Sequence, residues 1–353
     1  MKQPVLIITQ TFPPRRGGME MVMAGLARRF GEQGHEVQIL TEHQAPASQY
    51  YQSRHAPAPK FLRPWLKRQL AKRYLATNPI IICDSWKSMD AVPGAADNII
   101  LLAHGQEYLN KQAKAQRINR SLKRANLIVA SSQATADMAI EFAQQEAAKL
   151  HVIHPTYMLQ KQEIQAKHNA NLQILSLARL EKRKGLAPSM AALAQLDDQL
   201  PDYQWHIAGD GPERVNLEQL AMQLGLKDKI MFHGFVDEAQ KHELMSRSDL
   251  FLMPSYQEGN SLEGFGIVYA EAASYAIPAI GGMAGGASEA VLDGQTGWSV
   301  DGTSMEAIAT ALISAMGDNE ERRKRGQKAR QYFEEHFEGD ASFNKFYQLA
   351  TGH

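Results

Sequence analysis

Short apolar, β-branched runs alternate along the chain with segments whose apolar residues recur at helical spacing. In the first half these runs are VLIIT (5–9), VQIL (37–40), IIIC (80–83), IILLA (99–103) and LIVA (127–130). Buried strands of a parallel sheet read as continuous apolar runs, with helical crossovers between them. This half therefore predicts a Rossmann-like α/β domain over residues 1–155.

The alternation stops and then restarts. Residues 156–170 are polar, show no strand pattern and are interpreted as a linker. The later runs are QILSLA (173–178), WHIAG (205–209), IMFHG (230–234), LFLMPS (250–255), AIPAIGG (276–282) and GWSV (297–300). They predict a second doubly wound domain over residues 171–335, followed over 336–353 by a helix that could return to the first domain. Two such domains would face each other across a cleft, and open parallel sheets bind ligands beyond the carboxyl ends of their strands.

Composition fits two ordinary globular domains, with 353 residues of which 44% are apolar and 22% charged. Cys83 is the single cysteine and lies in an apolar run, which predicts a core position, no internal disulfide and a reducing compartment. The apolar runs are far shorter than the roughly 18 residues of a membrane span. A cytoplasmic location is expected.

The net charge of zero hides an asymmetry, since residues 1–155 hold 20 lysines and arginines against 11 acidic residues, a charge of +9. The remainder carries −9, so the first half is expected to meet something anionic.

The segment KFLRPWLKRQLAKRY (60–74) sets apolar residues at helical spacing, with Pro64 suited to the first turn. Basic residues fill its other positions: Lys60, Arg63, Lys67, Arg68, Lys72 and Arg73. It predicts an amphipathic helix on an anionic membrane surface, at the inner face of the cytoplasmic membrane; alternatively, its apolar face belongs to the core.

Two loops could bind phosphate. Arg179 and Lys184 follow the first strand of the second domain, where two fixed cations could clamp a diphosphate. Gly17 and Gly18 precede a helix in the first domain, and a helix start offers free N–H groups to an anion. Solvated surface charge and a plain turn are the alternatives.

Glu263 and Glu271 flank a Gly264-Phe265-Gly266 turn in an otherwise apolar stretch. If a helix begins at this turn, the carboxylates lie on the order of 12 Å apart with the positive helix end between them. A nucleotide sugar carries hydroxyls at both ends and a diphosphate in the middle, so the arrangement matches it. Ordinary exposed or capping glutamates are the alternative.

The segment PSYQEGNSLEGFGIVYAEAASYAIPAIGGMAGGASEAVLDGQTGW resembles the signature region of retaining glycosyltransferases of the GT-B fold, in family four. That family includes bacterial mannosyltransferases and lipopolysaccharide or exopolysaccharide transferases. SLARLEKRKGL, IAGDGPE, FHGFV and the Gly17-Gly18 loop also match its pattern in order, so the resemblance covers nearly the whole chain.

The resemblance implies a role for each matching residue. Arg179 and Lys184 would hold the donor diphosphate, backed by Gly18, while Glu263 binds the transferred sugar and Glu271 the ribose. The catalytic set would be His104, in a His-Gly element beside the sugar, with Glu263, Arg179 and Lys184. The remaining predicted donor-binding positions are Gly17, Val236, Asp237, Gly264, Phe265 and Gly266. Asp237 could also accept hydrogen bonds from both N1–H and N2–H of a guanine, which uracil cannot offer.

These expectations describe a retaining glycosyltransferase that moves a hexose from a nucleotide sugar to a lipid-linked or polysaccharide acceptor. GDP-mannose is favoured and a UDP-sugar is possible. The sequence contains no Asp-x-Asp, so no metal and no cofactor is expected. Two alternatives remain, a nucleotide-sugar epimerase of related fold and a non-catalytic basic binding module. Nucleic acid is not expected as a partner, because the basic residues lack interleaved aromatic platforms.

Overall fold

Strands and helices alternate along the chain, as the spacing of its apolar runs predicts. The structure is a computed structural model that describes residues 2–164 and 170–352. Part of the predicted linker over 156–170 lies outside the described residues, at positions 165–169. The chain divides into two compact units, each with its own hydrophobic core.

The first unit runs to Met158 and also contains the segment from Gly339 onward. Its strands and helices are β1 (Val5–Ile8), α1 (Gly18–Glu32), β2 (Val37–Thr41), β3 (Gln52–His55), α2 (Arg63–Lys72), β4 (Ile80–Cys83), β5 (Ile99–Ala103), α3 (Ala115–Arg124), β6 (Leu127–Ala130), α4 (Gln133–Ile140) and β7 (Leu150–Val152). Within the described residues these strands form one parallel sheet of seven, in the order β3-β2-β1-β4-β5-β6-β7. Val5 pairs with Val37 on one side and with Ile80 on the other.

A buried carboxylate fixes the loop that leads from β1 towards α1. Asp84, directly after β4, is 1% exposed. It accepts hydrogen bonds from Thr9 Oγ1 (2.8 Å) and from the backbone N–H groups of Gln10 (2.7 Å) and Thr11 (3.2 Å). A buried carboxylate needs several donors to replace the water it has lost. The loop before the glycine pair is thus tied to a neighbouring strand.

The second unit, Leu159–Glu338, repeats the alternation. Its elements are β8 (Leu172–Leu177), α5 (Leu186–Gln195), β9 (Tyr203–Ala208), α6 (Arg214–Gln223), β10 (Ile230–Gly234), α7 (Glu238–Arg247), β11 (Leu250–Met253), α8 (Ile267–Ser274), β12 (Ala279–Gly282), α9 (Ala287–Ala290), β13 (Gly297–Val300), α10 (Met305–Gly317) and α11 (Asn319–His336). In the described part of this unit, six strands form a parallel sheet in the order β10-β9-β8-β11-β12-β13. Two Rossmann-like α/β domains are therefore confirmed.

Apolar side chains cover both faces of the second sheet. Leu250 and Leu252 of β11 belong to one buried cluster, whereas Phe251 and Met253 belong to another. Successive side chains of a strand point to opposite faces, so a strand covered on both sides must be apolar throughout. Polar chemistry is then left to the loops at the strand ends.

The last helix, α12 (Gly339–Thr351), packs within the first unit. The rings of Phe343 and Phe346 are fully buried, with centroids 5.5 and 6.1 Å from that of Phe30. Tyr347 places its hydroxyl 2.9 Å from Nε2 of His35. Arg29 on α1 also donates to Oδ1 of Asp340 (2.6 Å), so aromatic packing and hydrogen bonds join this helix to α1 and the turn that follows it.

Every apolar run that the sequence assigns to a strand forms one, although AIPAIGG becomes a strand only from Ala279. Ala276 has a positive φ of 57° and Pro278 lacks an N–H, so neither suits a central strand. Two strands were not predicted, β3 and β7. They lie at the two edges of the first sheet, where one neighbour suffices and the apolar pattern is weak.

Candidate active site

Basic residues follow β8, where the sequence predicts a diphosphate clamp. The Lys184 side chain is only 8% exposed, whereas that of Arg179 is 73% exposed. Gly185, which follows Lys184, has φ = +73°, and a Cβ there would lie 2.2 Å from the carbonyl oxygen of Pro254. Only glycine fits this position, so a larger residue would displace the turn that follows the buried Lys184.

Glu263 meets two of these cations. Its Oε2 lies 2.6 Å from Nζ of Lys184 and 2.9 Å from Nη1 of Arg183. The backbone carbonyl of Glu263 also accepts a hydrogen bond from the N–H of Gly286 (3.0 Å), which anchors the loop before α8. Burial by itself would raise the pKa of the Glu263 carboxyl, but Lys184 and Arg183 outweigh it and hold the pKa at about 2. The carboxylate is therefore charged at neutral pH.

Arg183 belongs to this cluster, although the sequence alone does not single it out. Its Nε lies 3.0 Å from Oε2 of Glu181, and the other oxygen of Glu181 lies 3.5 Å from Nε of Arg179. Arg179, Glu181, Arg183, Glu263 and Lys184 thus form one chain of ion pairs at the end of β8. Three cations against two carboxylates leave an excess positive charge, which suits an anionic ligand.

Glu271 lies inside α8, which begins at Ile267 directly after the predicted Gly264-Phe265-Gly266 turn. Gly266 caps this helix with φ = +83°, a conformation that favours glycine. Oε1 of Glu271 lies 2.8 Å from Nζ of Lys241 on α7. Burial raises the pKa of the Glu271 carboxyl, and Lys241 opposes that rise. Lys241 is a second site residue that the sequence does not single out.

Three other predicted donor-binding residues have structural roles. The Phe265 side chain is 3% exposed and packs against Phe337 at a centroid distance of 5.2 Å, so only its backbone could face a ligand. Val236 is half-buried against the core of the second unit. Asp237 caps α7, with Oδ1 accepting from the Gln240 N–H (2.8 Å) in a capping box. This cap accounts for an aspartate here without any nucleobase.

In the first unit, α1 begins at Gly18 and Gly17 is its N-cap. The Glu20 side chain folds back over this turn, because a Cβ on Gly17 would lie 2.5 Å from Glu20 Oε2. Glu20 is 8% exposed. The positive end of α1, where an anion is predicted, is therefore faced by a carboxylate of the chain itself.

His104 follows β5, as predicted, and is half-buried. Its backbone N–H donates to Oε1 of Glu107 (2.7 Å), a residue whose pKa is raised by burial. Nε2 of His104 is buried and has no hydrogen-bond partner among the described residues. A buried ring nitrogen without a partner is costly, so this atom is open to a ligand.

The predicted amphipathic helix is present, since α2 runs from Arg63 to Lys72 with Pro64 in its first turn. The large apolar residues at its start face solvent, with Phe61 79% and Trp65 58% exposed. Leu70 instead packs against the core of the first unit. The apolar stripe therefore divides into an exposed aromatic end and a core-facing end.

The basic positions of α2 do not all form an open charged face, contrary to the expectation for residues 60–74. Lys67 is 3% exposed and donates to the carbonyl oxygen of Thr9 at 2.7 Å. Arg63 pairs with Glu42 at 2.8 Å. A backbone carbonyl and a carboxylate from distant parts of the chain supply acceptors that sequence spacing could not reveal. The cations that stay exposed are Lys60, Lys72 and Arg73.

Residues 2–164 and 170–352 contain no group of three histidine, cysteine, aspartate or glutamate side chains placed to hold a metal ion. No helix in these ranges is long and apolar enough to cross a lipid bilayer. Cys83 is fully buried, and burial raises the pKa of its thiol.

The fold, with two α/β domains that are each built on a parallel sheet, is that of the GT-B class of glycosyltransferases. Residues 158–332 match the family described as glycosyl transferases group 1, and residues 16–160 match Glycosyltransferase Family 4. The chain belongs to the glycosyltransferases of family four. The epimerase and the non-catalytic binding module are thereby set aside.

Named relatives agree with this assignment. A GDP-mannose-dependent alpha-(1-6)-phosphatidylinositol monomannoside mannosyltransferase of Mycobacterium tuberculosis is 27% identical over 93% of this chain and 93% of its own length. The protein of the same name from Mycolicibacterium smegmatis is 39% identical, but over only 41% of this chain and 38% of its own length. A crystal structure of Anabaena HepE in complex with UDP covers 99% of this chain and 100% of its own, with a TM-score of 0.78 and 19% identity. That likeness shows the fold.

Proposed function

We propose that this glycosyltransferase moves a hexose from a nucleoside diphosphate sugar to a lipid-linked or glycan acceptor, with retention of configuration and without a metal ion. GDP-mannose is the favoured donor. The observation that carries the proposal is the contact of Lys184 and Arg183 with Glu263, beside the positive end of α8. The cations and the helix start suit the diphosphate of a nucleotide sugar, and the carboxylate suits a hydroxyl of its sugar.

Departure of the nucleoside diphosphate is the step that needs the cations. As the bond from the sugar C1 to the phosphate oxygen breaks, negative charge grows on the diphosphate. Lys184, Arg179 and the start of α8 supply positive charges and a dipole that can stabilise it, which is the part a metal ion plays in other enzymes.

The two glutamates suit hydroxyl groups. Both cations contact Oε2 of Glu263, and within the described residues no hydrogen bond is made to its Oε1. That oxygen can accept from a hydroxyl of the transferred sugar. Glu271 on α8 has the same capacity towards a ribose. In the first unit, Nε2 of His104 is a candidate for a further substrate contact.

Retention of configuration rests on the family resemblance. In a retaining transfer the acceptor oxygen bonds to C1 on the face from which the diphosphate departs. The acceptor hydroxyl therefore lies beside a phosphate oxygen that is gaining charge, and its proton can pass to that oxygen. No base from the protein is required for this proton transfer.

The preference for GDP-mannose rests on the mycobacterial relatives, which are named as GDP-mannose-dependent mannosyltransferases. Asp237, which a guanine could use, is engaged as a helix cap and adds little to that preference.

A lipid-linked acceptor is supported by the same relatives, because they are named as transferases that act on a phosphatidylinositol monomannoside. Exposed Phe61 and Trp65, with the cations Lys60, Lys72 and Arg73, would hold the enzyme on an anionic lipid surface.

A panel of nucleotide sugars tests the proposal. Thermal unfolding should shift most with the true donor, because a ligand at 100 times its Kd stabilises by roughly 2.7 kcal/mol. Turnover with that donor should persist in excess EDTA, and proton NMR should show an α-linked product from an α-linked donor. No shift and no turnover with any donor would reject the proposal. Activity restored only by magnesium would remove its metal-free part, and a β-linked product its retaining part.

A further inference from the structure

Two cations share one oxygen of Glu263. Lys184 and Arg183 both contact Oε2, at 2.6 and 2.9 Å, and the three side chains are only 8%, 10% and 15% exposed. One cation is enough to neutralise one carboxylate. A second cation is needed only if the first moves away from the carboxylate, because a buried carboxylate without a charged partner is strongly unfavourable.

The two cations are held very differently. The guanidinium of Arg183 bridges two carboxylates, with Nε 3.0 Å from Glu181 and Nη1 2.9 Å from Glu263. The backbone carbonyl of Arg183 accepts a hydrogen bond from the Tyr256 N–H at 2.8 Å. The Lys184 ammonium, in contrast, contacts Glu263 alone among the charged groups of the described residues. Arg183 is therefore fixed, and Lys184 has a single contact to exchange.

We propose that Arg183 is a positioning residue that keeps the Glu263 carboxylate in place while Lys184 turns to the donor diphosphate. This inference rests on the proposed function, which assigns Lys184 to the diphosphate and Glu263 to the sugar. The diphosphate carries more negative charge than one carboxylate and attracts the lysine more strongly. Arg183 then remains as the partner of Glu263, through a planar fork that lysine lacks.

The electrostatics of the site agree with this division of roles. Burial alone would raise the pKa of Glu263, and Lys184 and Arg183 together lower it to about 2. The buried phenol of Tyr269 on α8 donates to the carbonyl oxygen of Met253 and keeps its proton, since burial and the charge of Glu263 raise the pKa of that hydroxyl. Once Lys184 has moved, Arg183 is the cation left to hold Glu263 ionised against burial.

Three variants test the inference in the full chain. Arg183→Gln removes the charge, Arg183→Lys keeps it without the fork, and Lys182→Gln removes an exposed neighbouring cation as a matched control. With the donor from the nucleotide-sugar panel, Arg183→Gln should lower kcat about tenfold or more while KM changes less than about threefold. Its kcat should also fall at a higher pH on the acid side than that of the wild type. Arg183→Lys should recover only part of the loss, because it lacks the fork, and Lys182→Gln should resemble the wild type.

Calorimetry with GDP and UDP supplies a readout independent of the sugar. Arg183→Gln should bind the preferred nucleoside diphosphate within about twofold of the wild type, which also shows that it is folded. An affinity loss as large as that of Lys184→Gln would make Arg183 a diphosphate ligand and overturn the inference. Kinetics indistinguishable from those of Lys182→Gln would also overturn it.

Three further outcomes are equally decisive. If Arg183→Gln does not fold, Arg183→Lys decides, and a normal kcat and pH profile in that variant would reject a role for the fork. A wild-type chain that turns over no nucleotide sugar rejects the proposed function, and this inference with it. If the wild type is active and Arg183→Gln has the same kinetics, the inference is rejected while the proposed function stands.

Discussion

Nζ of Lys241 lies 2.8 Å from Oε1 of Glu271, and this ion pair joins α7 to α8 in the second unit. The side chains are 23% and 15% exposed, so the pair is largely shielded from water. A second carboxylate, that of Glu238, lies 3.0 Å from the same ammonium. These contacts raise the pKa of Lys241 in spite of its burial.

Removing this lysine should destabilise the second unit. Lys241→Met leaves the Glu271 carboxylate without its partner in a largely buried position, at a cost of about 2 kcal/mol. Thermal unfolding at pH 7 measures the loss, with Lys227→Met as a control because Lys227 is exposed. The two variants should differ by several degrees in Tm. Equal Tm values would mean that the pair does not contribute to stability.

Donor binding and turnover should separate among the site residues. Arg179→Ala and Glu271→Ala should each weaken donor binding about tenfold, because contacts to diphosphate and ribose exist before reaction. Glu263→Gln should chiefly lower kcat, since the sugar gains positive charge only as C1 loses its leaving group. Calorimetry and steady-state kinetics distinguish the two effects, and Lys182→Ala serves as the control for lost charge. Unchanged donor affinity in both alanine variants would refute the assignment.

A buried histidine pair should make stability depend on pH. Nδ1 of His206 lies 2.9 Å from Nε2 of His233, and Nε2 of His206 lies 2.8 Å from Oε1 of Gln173. Burial, then Arg247 and His233, lower the pKa of His206 to about 4. Burial and Arg247 also lower the pKa of His233, against the opposing charge of Glu243. Both rings are therefore neutral in the folded protein at neutral pH.

The sign follows from proton uptake. A histidine of the unfolded chain takes up a proton near pH 6.5, whereas folded His206 resists it until about pH 4. The contribution of the neutral His206 ring to the free energy of unfolding is therefore fully present above pH 6.5. It should fall by up to about 1.4 kcal/mol for each pH unit below 6.5, until about pH 4. Denaturant unfolding from pH 7 to 4 should show a flatter profile for His206→Gln than for the wild type. His336→Gln, at a half-exposed site, is the control, and parallel profiles for wild type and His206→Gln would contradict the prediction.

The aromatic start of α2 should bind anionic lipid. Changing both Phe61 and Trp65 to serine removes the two most exposed rings of this segment and should abolish sedimentation with phosphatidylglycerol vesicles. Binding of the wild type should rise with the anionic fraction and fall with salt. Val215→Ser, at a residue 61% exposed in the second unit, is the matched control. Equal recovery in the supernatant with and without anionic lipid would refute membrane binding.

The sequence by itself determined every strand of the two sheets except the edge strands β3 and β7, because a strand covered on both faces is apolar along its length. It failed at β3 (Gln52–His55), a polar edge strand whose pairing with β2 is a tertiary contact. It also determined which polar side chains lie at strand ends, since Arg179 and His104 follow predicted strands directly and Lys184 comes five residues after Arg179. The end of a strand can be predicted from the sequence because the apolar run stops there.

The tertiary structure alone decided which of those charges meet. Arg183 and Glu263 lie 80 residues apart in the chain, and Lys241 and Glu271 lie 30 apart. The basic pattern of α2 likewise hid that Lys67 is buried against a carbonyl oxygen of the loop after β1. Local spacing specifies which face of a helix or which strand end a side chain occupies. Its charged partner is set by how distant segments pack, and that packing depends on the whole core.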